Sequence, residues 1–238
     1  FYQPKTSSSD PNHAVAIVGW DDNKKTKASQ PGAWLVKNSW GTSWGDKGYF
    51  WISYYDKVAG IHDEMGAVSF KGVEPLKYER IYSHDYHGWR DTKSGVTEAM
   101  NVFTAESAET LSAVSFYTAA KNVVYSIKIY GAFDGQKPSE LLSIRDGMAA
   151  QIGFHTEELN WPVALSAGQK FYVAVELSHG GHPFDKTSNV PLLLGGGGRP
   201  IVESKSRPGQ SFYLSQGTWK DLYSDDKSAN FCIKGLTR

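Results

Sequence analysis

The chain of 238 residues contains one cysteine, Cys232, so an internal disulfide is excluded. Neither sign of charge is in excess: Lys and Arg number 25, and Asp and Glu number 25. A balanced chain gives no electrostatic reason to expect nucleic acid or an anionic membrane as partner. No stretch of 18 apolar residues is present, so no segment reads as a membrane-spanning helix. The opening "FYQPKTSSSDPNH" lacks the charged and apolar regions of a signal peptide and has no Met before it, so it reads as the start of a fragment or processed piece. The "GGGG" at 195–198 lacks the Lys-Ser/Thr of a phosphate-binding loop and opens no helix. No repeat of fixed period and no helical stripe of three or four turns can be found.

What is abundant is aromatic residues and glycine, 13% and 24 residues respectively, a mixture suited to short strands and many turns. Residues 13–20 ("HAVAIVGW"), 33–38 ("AWLVKN") and 49–55 ("YFWISYY") read as three strands of a meander, joined by a polar loop with Pro31-Gly32 and by the glycine-punctuated "GTSWGDKG". The texture changes near residue 72. Beyond it, strand-like runs recur at 99–105, 110–119, 124–133, 141–146, 171–178, 210–215 and 230–236. In "FYVAVELS" the residues Phe171, Val173, Val175 and Leu177 alternate with a period of two. "LLLGGGGRP" reads as a loop between strands. The fold class is mainly β, with residues 1–72 forming one unit and residues 73–238 forming an antiparallel β-sandwich of the jelly-roll type.

His13 and Asn38 lie 25 residues apart, on runs that form adjacent strands in this reading. A thiol nucleophile needs an imidazole to take its proton. That imidazole must be held in one orientation, and a side-chain amide oxygen does this without adding a charge. Trp40 is placed to shield the pair from water and so strengthen the bond. From spacing alone a satisfied structural histidine is the commoner reading.

"NHAVAIVGW" followed by "AWLVKNSWGTSWGDKGYFWI" closely resembles the His and Asn motifs of the papain family of cysteine peptidases. The resemblance implies that His13 is the general base, that Asn38 orients it and that Trp40 shields the two. It covers about residues 12–55 and looks most like the bacterial members, some of which, including clostridial cell-wall peptidases, carry a lectin-like β-sandwich after the peptidase domain. Residues 1–72 are then the β-barrel-like, C-terminal half of a papain-like α+β domain, and residues 73–238 the lectin-like sandwich. A secreted or cell-surface location follows from the same likeness.

The departure from the family is the absence of its helix-opening Cys and of the Gln that completes the oxyanion hole. Cys232, in the strand-like "NFCIKG", has neither context and reads as a small buried apolar residue. The expected partner is an N-terminal chain of the same precursor that carries the thiol, and the expected substrate a peptide or protein. The alternative reading is a non-catalytic module that binds glycan or cell-wall polymer and retains a peptidase remnant.

The remaining candidates are weaker. His84, Asp85 and His87 in "HDYHGW", and His179 and His182 in "HGGH", have side chains that suit zinc but too few ligands. No cofactor is expected. The acidic turns "DGQKPSE" and "YSDDKS" leave a structural calcium possible. Trp89, Trp161 and Trp219 are candidates for stacking on sugar.

Overall fold

The computed structural model describes residues 1–9, 11–61, 66–190 and 199–238. The predicted loop at 192–200 therefore falls mostly outside the described residues. No α-helix occurs among those described, and none of them forms a helix long and apolar enough to cross a membrane. The chain divides into two compact units, one built on Phe1–Glu74 and the other on Pro75–Asn189 and Ile201–Arg238.

The first unit is an antiparallel sheet of β1 (Ala16–Asp21), β2 (Ala33–Lys37) and β3 (Tyr49–Ser53), in the order β1-β2-β3. Central strand β2 buries Ala33 and Val36 completely. Strand β1 is an edge whose Ile17, Val18 and Trp20 stay exposed. Its ladder with β2 slips between Ile17 and Gly19, a bulge that leaves Val18 without a partner opposite. Three strands form an open sheet and close no barrel.

The second unit runs through β4 (Arg80–Tyr82), β5 (Asp91–Lys93), β6 (Glu98–Thr104), β7 (Glu109–Thr118), β8 (Val123–Phe133), β9 (Pro138–Ala149) and β10 (Gly153–Leu165). It continues with β11 (Lys170–Leu177), β12 (His182–Asp185), β13 (Ser188–Asn189), β14 (Ile201–Val202), β15 (Ser211–Ser215), β16 (Thr218–Asp221), β17 (Asn230–Phe231) and β18 (Lys234–Thr237). A four-stranded sheet, β10-β7-β18-β4, faces a six-stranded one, β16-β15-β6-β11-β8-β9. The core between them contains Phe171, Val173, Val175 and Leu177 of β11 and Val123, Tyr125, Ile127 and Ile129 of β8, all buried. Each such side chain contributes roughly 1.5–3 kcal/mol of transfer free energy. This is the sandwich the alternating pattern predicts.

Strands β4, β5, β10, β12, β13, β14 and β16 fall outside the strand-like runs read from the sequence, and one run is divided. The 13-residue β10 is not among the strand-like runs, because "GFHTEELNWPVAL" is polar and contains Pro162. It is an edge strand, and its register with β7 shifts between Glu158 and Val163, so the proline falls where no regular ladder bond is required of it. The run at 230–236 is two strands, not one: β17 pairs with β12, and β18 pairs with β4 and β7. Asn101, fully buried on β6, spans the break by donating from Nδ2 to the carbonyls of Phe231 (2.8 Å) and Ile233 (2.9 Å).

Gly147 on edge strand β9 lies opposite Tyr125, whose ring covers it. A Cβ at 147 would overlap the Tyr125 Cζ and hydroxyl. Gly147→Ala is expected to lose about 1–3 kcal/mol through overpacking, seen as a lower urea midpoint with an unchanged slope.

Candidate functional site

In an antiparallel hairpin the start of one strand faces the end of the next. Ala16, at the start of β1, pairs with Lys37, at the end of β2. His13 precedes the first strand and Asn38 follows the second, so both come to the same end of the sheet. They flank the strands rather than lying within them, contrary to the sequence reading. Their side chains meet, with His13 Nε2 2.8 Å from Asn38 Oδ1.

Ser39 fixes the direction of that bond. The backbone N–H of Ser39 donates to the same Asn38 atom at 2.8 Å, and an N–H needs an acceptor. The atom is therefore the amide oxygen, and the imidazole must donate from Nε2. The neutral ring is thus the Nε2–H tautomer, with Nδ1 left as a lone-pair acceptor. Among the described residues nothing bonds to Nδ1. Asn38 is buried, and its own N–H donates to the Gly48 carbonyl at 2.9 Å, which anchors the amide to the following loop.

Trp40 stacks on the His13 ring with centroids 5.0 Å apart and planes 16° from parallel. One face of the imidazole is thereby covered, while the indole is itself 49% exposed. Trp44 meets Trp40 edge-on at 5.0 Å and Phe50 of β3 at 5.1 Å. This aromatic relay from the sheet to the histidine is not among the residues singled out from sequence, although the Trp-x-x-x-Trp spacing in "WGTSW" carries the signal. The loop can turn tightly enough because Gly45 has φ +58°, and a Cβ there would lie 2.6 Å from the Tyr49 carbonyl.

The other sequence candidates serve the sandwich. His84 Nε2 donates to the Val102 carbonyl at 2.7 Å and its ring stacks on Phe103. Asp85 pairs with Lys234. His87 Nε2 lies 3.1 Å from an oxygen of the fully buried Asp185 carboxylate, whose other oxygen accepts the Tyr86 N–H. His179 bonds to Ser178 and the Lys121 carbonyl, and His182 Nε2 donates to the Thr97 carbonyl at 3.0 Å. No group of three or more His, Cys, Asp or Glu side chains suited to a metal ion comes together among the described residues. Cys232 is buried, and burial pushes its thiol well above the ordinary range, so it is held protonated. Trp219 is buried, Trp89 is half-buried and donates to Thr92, and Trp161 is 73% exposed.

A mostly β fragment with a tryptophan-capped His–amide pair, followed by a jelly-roll sandwich, is the architecture of a papain-type peptidase joined to a lectin-like module. Family models agree: the papain family cysteine protease model matches residues 1–69 and the lectin-like domain model matches residues 81–237. The chain belongs to the lectin-like domain family and carries a papain-family segment ahead of that domain.

The clostridial cysteine protease Cwp84 after propeptide cleavage is similar at 29% identity and TM-score 0.73, over 95% of this chain and 58% of that one. The cysteine protease and lectin-like domains of Cwp84, a surface-layer-associated protein of Clostridium difficile, match at 28% identity and TM-score 0.73, over 100% of this chain and 54% of that one. Cathepsin O of Mus musculus is 42% identical over 66 residues, 28% of this chain and 20% of its own length. The chain thus spans little more than half of the solved relatives and about a fifth of the cathepsin.

The buried histidines set a pH dependence. Burial pushes His182 down to about 4 and also lowers His84, although each donates to a carbonyl. Their folded values lie below the unfolded one near 6.5, so protons are taken up on unfolding. Stability is complete above about pH 6.5 and falls as the pH drops toward 4. His182 alone accounts for a loss on the order of 2–3 kcal/mol. Urea unfolding at pH 7 and pH 4.5 measures it, and His182→Gln is expected to remove part of the difference.

Proposed function

We propose that this chain is the C-terminal part of a processed, secreted papain-like cysteine endopeptidase, supplying base and orienting amide to a nucleophile borne by an N-terminal chain of the same precursor. The observation that carries the reading is the 2.8 Å bond from His13 Nε2 to Asn38 Oδ1. With Nε2 committed to the amide, Nδ1 is the atom that accepts the thiol proton. The thiolate attacks the peptide carbonyl, the imidazolium returns its proton to the leaving amine, and the acyl-enzyme is hydrolysed by water that the same nitrogen deprotonates. Asn38 keeps the ring from rotating, and Trp40 keeps water from competing for the bond.

The exposed Ile17, Val18 and Trp20 of β1 support the need for a second piece, because a three-stranded sheet with one apolar strand open to water lacks part of its cover. The sandwich is a separate unit with its own core, and it is the part through which such an enzyme would be held to the cell surface.

Co-expression of the N-terminal chain with this one is expected to give thiol-dependent hydrolysis of a fluorogenic peptide, with both chains in one complex by native mass spectrometry. His13→Ala is expected to lower the rate roughly 10²–10⁴-fold. Asn38→Ala should lower it by about tenfold or more, the worth of one oriented hydrogen bond. A complex that forms but hydrolyses equally well without the imidazole would rule the assignment out.

A further inference from the structure

At one end of the sandwich, three segments remote in sequence surround a cavity of about 510 Å³. They are the β4–β5 loop, the stretch before β15, and the 3₁₀ turn Leu222–Ser224 with the residues after it. Lys205, Arg207 and Lys227 line it, together with Tyr86, Tyr223 and Gln210. Among the described residues the three cations make no ion pair and no side-chain hydrogen bond, and all three are exposed. Elsewhere in the unit Arg80, Lys93, Lys128, Arg145, Lys186 and Arg238 each have a carboxylate partner, and the exposed Lys121, Lys137 and Lys220 stand unpaired but scattered in sequence and outside the cavity lining. The one acid in the wall, Asp85, is already neutralised by Lys234. A second depression of about 430 Å³ adjoins the first, sharing Ser83, His84 and Gln210. It adds the unpaired Lys170, while its Glu106 is paired with Arg80 at 3.2 Å. Together they make an elongated groove with free positive charge along it.

The walls are fixed from below. Asn230, fully buried, donates from Nδ2 to the Lys205 carbonyl at 3.1 Å and the His84 carbonyl at 3.5 Å. Its Oδ1 faces the hydroxyls of Ser206 at 3.3 Å and Ser211 at 3.1 Å. The Ser206 N–H reaches the Lys227 carbonyl at 3.2 Å. One carboxamide therefore ties two walls directly and the third through Ser206. A cleft braced in this way is pre-organised, which reduces the cost of ordering it around a ligand.

We propose that this groove binds an anionic saccharide, a sugar chain carrying carboxylate or phosphate. Tyr86, 62% exposed, and Tyr223 offer ring faces for sugar, Gln210 and the serines offer partners for hydroxyls, and the lysines and arginine take the anion. A nucleic acid fits less well, because four cations on a chain of zero net charge give little backbone electrostatics. The inference concerns the second unit alone, and its test reads binding rather than hydrolysis, so it stands apart from the peptidase reading.

Calorimetric titration of the full chain with trigalacturonate, glucose 6-phosphate, maltotriose and a thymidine hexanucleotide tests it. Trigalacturonate or glucose 6-phosphate is expected to bind, and the one that binds identifies the anion. Maltotriose is expected to bind at least about tenfold more weakly, because a charge-assisted bond is roughly twice as strong as a neutral one. The combined variant Lys205→Ala, Arg207→Ala, Lys227→Ala should lose about tenfold or more, with its melting temperature unchanged because the side chains are exposed. Lys121→Ala, on another surface, should bind like the parent. Failure of both anionic probes, equal binding of maltotriose or the hexanucleotide, or undiminished binding by the triple variant would overturn the proposal.

Discussion

A carboxamide taken out of water has to recover its lost hydrogen bonds from the protein, and where it recovers them decides what it holds in place. Asn38 recovers its bonds from His13 and Ser39, and the result is an imidazole fixed in one tautomer at the end of a sheet. Asn101 finds two carbonyls at a break between strands, and the result is a chain that can change sheets without orphaned acceptors. Asn230 finds the backbone of two loops, and the result is a braced cleft. All three residues are uncharged, so each fixes its surroundings without the desolvation penalty of an ion.

The two units solve the problem of covering a sheet differently. The sandwich places a second sheet over the first, and its apolar residues alternate into a shared interior. Among the described residues no second sheet covers the three-stranded sheet of the first unit, and its outer strand leaves large apolar side chains in water. Ile17, Val18 and Trp20 make this bulged edge strand an exposed apolar patch. The aromatic relay from Phe50 through Trp44 to Trp40 does for the histidine what a core would do, giving it a rigid wall at the edge of the unit.

Much of this was legible in the residues. The period of two at Phe171, Val173, Val175 and Leu177 marks β11 and the side it turns to the main core, whereas the burial of Tyr172 and Ala174 on its other face, in a second cluster with Met100 and Trp219, shows only in the structure. The β1–β2 hairpin was legible from two short apolar runs joined by a polar loop with Pro31-Gly32, and with it the meeting of His13 and Asn38. Strand β10 was not, because as an edge strand it has little to bury, and its proline is harmless only in a register that the fold creates. The cleft was not legible either. Its lining comes from residues 83–86, 205–210 and 223–227, and no local pattern links lysines so far apart. The role of Asn230 depends on that same long-range closure. Relatives with known structures share the two-part plan at 28–29% identity, a level at which the scaffold persists while loop surfaces diverge.

Cys232 is enclosed by the sandwich, and its surroundings keep sulfur and proton together. The sandwich is consequently indifferent to reagents that seek out thiolates. An alkylating reagent, a mercurial or a mild oxidant would leave the sulfur of Cys232 unmarked for as long as the sandwich stays folded.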